Sequence, residues 1–185
     1  LSTSLQHLND HRRLVITGMP GIGKSKLVRT LLEFMPPESP PPFWYNFERQ
    51  QSSGNTLGVL LDRISGYLEK ILGREVREEI LSFRNSPEHQ ASSYDVDVLI
   101  DALNQPTPLW LIFDNFESAL SKGGDHFLDE GLEMLFSGLK HNTHNAKIII
   151  SGLFVPRLNN GEYLLEYGTR PLILQGLNEK SAVEC

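Results

Sequence analysis

Residues 18–25 read Gly18-Met19-Pro20-Gly21-Ile22-Gly23-Lys24-Ser25, which fits the spacing G-x-x-x-x-G-K-[ST]. The residue types say what that spacing can do. The glycines let the backbone turn with its N–H groups pointing inward. Those groups and the positive end of a following helix then face phosphate oxygens. Lys24 is placed to neutralise β- and γ-phosphates, and the Ser25 hydroxyl can ligate Mg²⁺. Lys26, next along, belongs to the same candidate cradle. A pattern this short also arises by chance in a glycine turn before a helix, so its surroundings decide. Leu14-Val15-Ile16 precedes it as an apolar strand. Leu27, Val28, Leu31, Leu32 and Met35 follow at the three- and four-residue spacing of a helix. Strand, glycine loop and helix N-terminus are the parts that phosphate binding needs.

Magnesium needs a second anchor, and an aspartate at the end of an apolar strand supplies one. Leu109-Trp110-Leu111-Ile112-Phe113-Asp114 ends in such an acid, so Asp114 is read as the partner of Ser25 at the metal. A strand-terminal aspartate also serves as a turn former or helix cap. The position after it, where an acid would orient or deprotonate water, is Asn115, and an amide cannot accept that proton. Glu117 is the nearest carboxylate. In an extended chain it alternates away from Asp114, and it reaches the site only if the strand ends at Asp114 and the chain turns. Otherwise it is a solvated loop acid. Lys24, Asp114 and Glu117 are the catalytic candidates.

Ser151 closes the run Lys147-Ile148-Ile149-Ile150-Ser151, where a polar group can sense a γ-phosphate; it could equally be a turn residue before Gly152. Arg157 follows, and reads rather as a surface arginine. His141 and His144 have no evident ligand partner nearby in sequence and read as solvated loop histidines.

These residues need a scaffold. Besides Leu14–Ile16, strands are expected at Phe43–Phe47, whose aromatics read as sheet core, and at Leu109–Asp114, Lys147–Ser151 and Leu172–Leu174. Leu57 to Leu72 forms an amphipathic helix with Gly73 as its stop, and Val76, Ile80 and Leu81 a shorter one. Val98 to Leu103 makes another, and Leu128 to Leu139 a further one with Asp125 as a candidate cap. Pro36 to Pro42 ends the helix after the loop and reads as a stiff connector. Strands alternating with helices predict an α/β fold: a three-layer P-loop NTPase arrangement, with a five-stranded, mostly parallel sheet and helices on both faces.

The chain has 185 residues, 39% of them hydrophobic and 22% charged, with a net charge of −6. That suits one soluble α/β domain. There is no lysine–arginine block, which disfavours nucleic-acid binding through this segment. The one cysteine, Cys185, excludes a disulfide framework and a cysteine metal site, and makes a reducing, cytoplasmic setting the expectation. No run of membrane-spanning length and no signal peptide is present.

Taken in order, Gly18–Ser25, Leu109–Glu117, Ala146–Ser151 and Leu172–Leu177 resemble the NB-ARC and related STAND triphosphatases. The loop is similar to that family's Gly-Met-Gly-Gly-Ile-Gly-Lys-Thr, and Leu-Ile-Phe-Asp-Asn-Phe-Glu to its Asp-Asn-x-Glu variant. The resemblance implies a strand lying between the loop strand and the Asp114 strand. It implies ATP and ADP, with Mg²⁺, as ligands whose exchange acts as a switch, often on assembly, so nucleotide-controlled homo-oligomers and further domains of a parent protein are the implied partners. Two departures stand out. The family's sensor arginine usually follows the fourth strand directly, where this chain has Gly152. The upstream segment that helps hold adenine is not recognisable before Leu14. The expected division is an N-terminal segment at 1–13, the nucleotide-binding core at 14–177, and at 178–185 the start of a following helical domain.

Overall fold

The computed structural model describes residues 11–50, 56–85, 91–124, 126–165 and 169–175. Five strands form one sheet: β1 (Arg13–Gly18), β2 (Phe43–Asn46), β3 (Trp110–Asp114), β4 (Lys147–Gly152) and β5 (Leu172–Leu174). Their order is β2-β3-β4-β1-β5, and every pairing is parallel. The expected intervening strand is therefore present: β4 lies between the loop strand and the Asp114 strand. The register sets Thr17 beside Gly152 and Asn46 beside Asp114. All the strand ends that matter thus fall on one edge of the sheet, at its carboxyl side.

Side chains alternate between the two faces. Val15, Phe43, Tyr45, Leu111, Phe113, Ile148 and Ile150 belong to a large core. It is covered by α2 (Leu57–Leu72), α3 (Arg74–Ile80), α4 (Ser93–Ala102) and α5 (Glu130–His141). Leu14, Ile16, Trp110, Ile112 and Ile149 face the other way and meet Val28 and Leu31 of α1 (Lys24–Leu32). Helices on both faces, as expected, make three layers, but four lie on one side and one on the other.

Beneath the carboxyl edge, Phe47, Phe113, Phe116 and Phe136 are fully buried. Phe113 and Phe116 meet Phe136 edge-on, at centroid distances of 4.9 and 4.8 Å. Such pairs contribute about 0.5–1.5 kcal/mol each beyond their burial. They brace the chain on both sides of Asp114. The aromatic run is core, as its composition predicts; Trp44, half-buried, carries the Arg29 guanidinium 5.7 Å from its ring.

Some element ends differ from expectation. Helix α1 stops at Leu32, so Met35 packs on the smaller core from outside the helix. Asp125 lies outside the described residues, and the cap of α5 is Asp129, whose carboxylate accepts from Leu132 N at 2.8 Å. The same oxygen accepts from Leu57 N at 3.1 Å. One aspartate therefore caps two helices. Leu128 precedes α5 and is 67% exposed rather than lying on its apolar face. Gly73 does end α2, with φ 103°.

Candidate functional site

Gly23 sits at the N-cap of α1 with φ 102°, a conformation that residues with a Cβ rarely adopt. It turns the chain from the loop into the helix. The first turn of α1 holds no acidic residue of its own, so the positive end of the helix stays open to an anion. Gly18 answers a different need. A Cβ there would lie 2.8 Å from the Leu174 carbonyl oxygen of β5, so only glycine lets β5 pair against the loop's start. Met19 and Pro20 are exposed, Met19 by 72%, and Gly21 is exposed too. Ile22 is half-buried and Lys26 faces solvent.

Lys24 is only 7% exposed. Its Nζ donates to the Gly18 carbonyl at 2.7 Å and the Met19 carbonyl at 3.2 Å. The ammonium is thus folded under the loop on two neutral carbonyls, and an anionic oxygen would be the stronger acceptor.

Asp114 is 3% exposed. A carboxylate taken out of water needs donors, and it has three. Ser25 Oγ donates to Oδ2 at 2.9 Å, bridging 89 positions of sequence. Asn115 N donates to Oδ1 at 3.1 Å, and the fully buried Ser151 hydroxyl donates to the same oxygen. Ser25, Asp114 and Ser151, named from sequence, form one hydrogen-bonded group. A hydroxyl and a carboxylate are hard oxygen donors that suit magnesium, which takes one or two protein ligands beside phosphates and water. Ser25 and Asp114 are the residues that would hold it.

Asn115 is the one described non-glycine residue with positive φ, 53°, a conformation asparagine tolerates well. It ends the strand and starts a short 3₁₀ turn, Phe116–Ala119. The condition under which Glu117 can reach the site is therefore met. Its Oε2 accepts from Leu153 N at 3.2 Å, at the end of β4 beside Ser151. Gly152 makes room for it: a Cβ there would lie 3.0 Å from Glu117 Oε2.

Two polar residues escaped the sequence reading. Asn115 Nδ2 donates to Glu48 Oε2 at 3.0 Å and to Asn46 Oδ1 at 3.4 Å. Nothing local marks Asn46 or Glu48; only the pairing of β2 with β3 brings them there. Other candidates lie elsewhere. Arg157 sits 4.5 Å from the centre of the Tyr163 ring and donates to its hydroxyl. His144 is not solvated. It is 1% exposed, with Nε2 2.9 Å from the Leu139 carbonyl, because the turn after α5 packs it inward. His141, exposed at the end of α5 as expected, meets Glu162 at 3.0 Å.

Two solved structures share the fold. Against the Walker-type ATPase of Pyrococcus abyssi, the TM-score is 0.60 at 17% identity, covering 99% of this chain and 54% of that one. Against a STAND protein with a tetratricopeptide repeat sensor from Pyrococcus horikoshii it is 0.58 at 17% identity, covering all of this chain and 24% of that one. The chain thus spans about half and a quarter of the lengths of these two proteins. No curated protein matches it in sequence. The nephrocystin 3, N-terminal family matches residues 2–152, a stretch that contains the loop, Asp114, Glu117 and Ser151. The shared fold with its loop is that of a P-loop NTPase core, and the match over most of the length shows that the chain belongs to the nephrocystin 3, N-terminal family.

Proposed function

We propose that the chain is a regulatory nucleotide-binding module that takes Mg-ATP or Mg-ADP and hydrolyses ATP slowly. The observation that carries the reading is the hydrogen bond from Ser25 Oγ to Asp114 Oδ2 at 2.9 Å. It pairs the loop hydroxyl next to Lys24, in the first turn of α1, with a buried carboxylate, which is the donor set a magnesium polyphosphate requires. When bound, magnesium would supply charge neutralisation between β- and γ-oxygens. The chain's own groups have separate tasks. The loop glycines Gly21 and Gly23 offer backbone N–H donors, Lys24 a cation, Ser25 and Asp114 the metal ligands. Ser151 keeps Asp114 oriented, and Glu117 is the carboxylate placed to orient water. The preference for adenine, the switch between nucleotide states, control of homo-oligomers and kinship with the NB-ARC branch rest on the family resemblance, and a cytoplasmic setting rests on the single cysteine, Cys185.

The test is thermal melting with and without Mg-ATP. A ligand that binds only the folded state at a hundredfold excess over its Kd stabilises by about 2.7 kcal/mol. A domain this size then melts roughly 5–10 °C higher. Lys24→Ala should abolish the shift, and equal shifts in both proteins would remove the site from this loop. Glu117→Gln should keep the shift and lose hydrolysis. A second reading, a nucleotide-binding scaffold that does not hydrolyse, is favoured by Asn115 standing at the usual acid position. Turnover of Mg-ATP by the wild type, or its absence, separates the two.

A further inference from the structure

Asn115 has two partners on the neighbouring strand end, and they form a chain of contacts from the sheet edge to the site. Asn46 closes β2, and its Oδ1 accepts from Arg49 N at 3.1 Å, capping the short turn Glu48–Gln50. The cap sets Glu48 facing the end of β3, where its Oε2 accepts from Asn115 Nδ2 at 3.0 Å. Phe47 N donates to the Asp114 carbonyl at 3.0 Å, and the Phe47 ring meets Phe116 edge-on at 5.1 Å. The turns after β2 and β3 are therefore tied by backbone, by ring and by side chain. Asn115 is also the left-handed residue whose turn brings Glu117 over the end of β4.

We propose that Glu48 is a positioning residue for hydrolysis: by accepting from Asn115 it fixes the left-handed turn that presents Glu117, without itself taking a proton. This rests on the nucleotide reading above. It also changes what Asn115 is for. An acid at that position would not face the phosphates as a base; it would face Glu48, carboxylate against carboxylate.

The experiment measures Mg-ATP affinity by calorimetry and single-turnover hydrolysis for the wild type and four variants. Glu48→Ala removes the acceptor. A misplacement on the order of 1 Å in a catalytic group costs about a hundredfold, so kcat should fall about tenfold to a hundredfold with Kd unchanged. Glu48→Gln keeps an oxygen that accepts from Asn115, and should recover most of what Glu48→Ala loses. Asn115→Asp should lower kcat rather than raise it. Adding Glu48→Gln to Asn115→Asp reverses the hydrogen bond's direction, and should recover activity. That recovery is a coupling which two independent structural defects do not show.

Several results overturn the inference. Wild-type turnover in Glu48→Ala would mean the contact positions nothing. A loss in Glu48→Gln as large as in Glu48→Ala would make Glu48 the proton acceptor instead. Faster hydrolysis in Asn115→Asp would place residue 115 at the phosphates. A wild type that binds Mg-ATP but never turns it over refutes positioning while leaving binding intact. A wild type that does not bind Mg-ATP refutes the nucleotide reading and the inference with it.

Discussion

Ser151→Ala is a severe test of the site's architecture, because two residues that look alike there should respond oppositely. Ser151 is fully buried and its hydroxyl donates to Asp114 Oδ1. Removing it leaves a carboxylate that is 3% exposed with two donors, Ser25 Oγ and Asn115 N. A hydrogen bond to a charged group is worth about 1.5–3 kcal/mol net, and water does not replace it readily in a site this closed. We expect a loss of about 2 kcal/mol without nucleotide, which is roughly 4–8 °C in melting temperature for a domain of this size. Ser25 is half-buried at the loop, so in Ser25→Ala water can take over its place on Asp114. Its cost without nucleotide should stay below about 1 kcal/mol.

With Mg-ATP the order should invert. Ser25 would touch the metal and Ser151 would not, so Ser25→Ala loses the larger part of the ligand-induced shift. The assay is a urea titration and a melting scan of both variants, each with and without Mg-ATP. Ser151→Ala with an unchanged urea midpoint would show that the hydroxyl does not hold Asp114. Parallel behaviour of the two variants in both conditions would refute the division of labour between them.

Asp129→Ala should cost about 2 kcal/mol in urea unfolding, since it uncaps both α5 at Leu132 N and α2 at Leu57 N; Asp129→Asn, which keeps an acceptor oxygen, should cost under half of that. Tyr45 gives a pH prediction. Its hydroxyl is buried without a hydrogen-bond partner, and desolvation, weakly opposed by Arg63, raises its pKa from 10.0 to about 12. The unfolded chain therefore releases this proton first as pH rises. The stability tied to it is complete below pH 10 and is lost between pH 10 and about 12. Tyr45→Phe should be neutral or stabilising by about 1 kcal/mol at pH 8, and its urea midpoint should fall less between pH 8 and 11 than that of the wild type. An equal fall in both would refute the burial argument.

The loop and the strands could be read from sequence because their signals are local. Gly18–Ser25 sits in eight consecutive residues, and the five apolar runs are contiguous. Strand order was not local and came with the family resemblance. Element ends were harder. Asp129 caps α5 and lends the same oxygen to the N-terminus of α2, a fact of packing that no local signal carries. His144 read as solvated because its neighbours in sequence do not show that the turn after α5 faces it inward, onto the Leu139 carbonyl. Asn46 and Glu48 were invisible for the same reason: they matter only because β2 pairs with β3 in a register that sets Asn46 beside Asp114.

Asn115 and Gly152 look, in sequence, like two unrelated features: the asparagine of the family's Asp-Asn-x-Glu variant, and a glycine where the family's sensor arginine usually stands. In the fold they are a single geometric change. An asparagine at 115 tolerates φ 53°, and that turn brings Glu117 back over β4 instead of leaving it in the loop. Glu117 then occupies the space above residue 152, where a Cβ would stand 3.0 Å from its Oε2. A side chain as large as arginine at 152 would have to displace Glu117, and an extended residue at 115 would leave the place above Gly152 empty. The turn at Asn115 and the absence of a side chain at 152 thus fit one another, and under the proposed function the water-orienting acid is Glu117, at the end of β4 and two residues beyond Asn115.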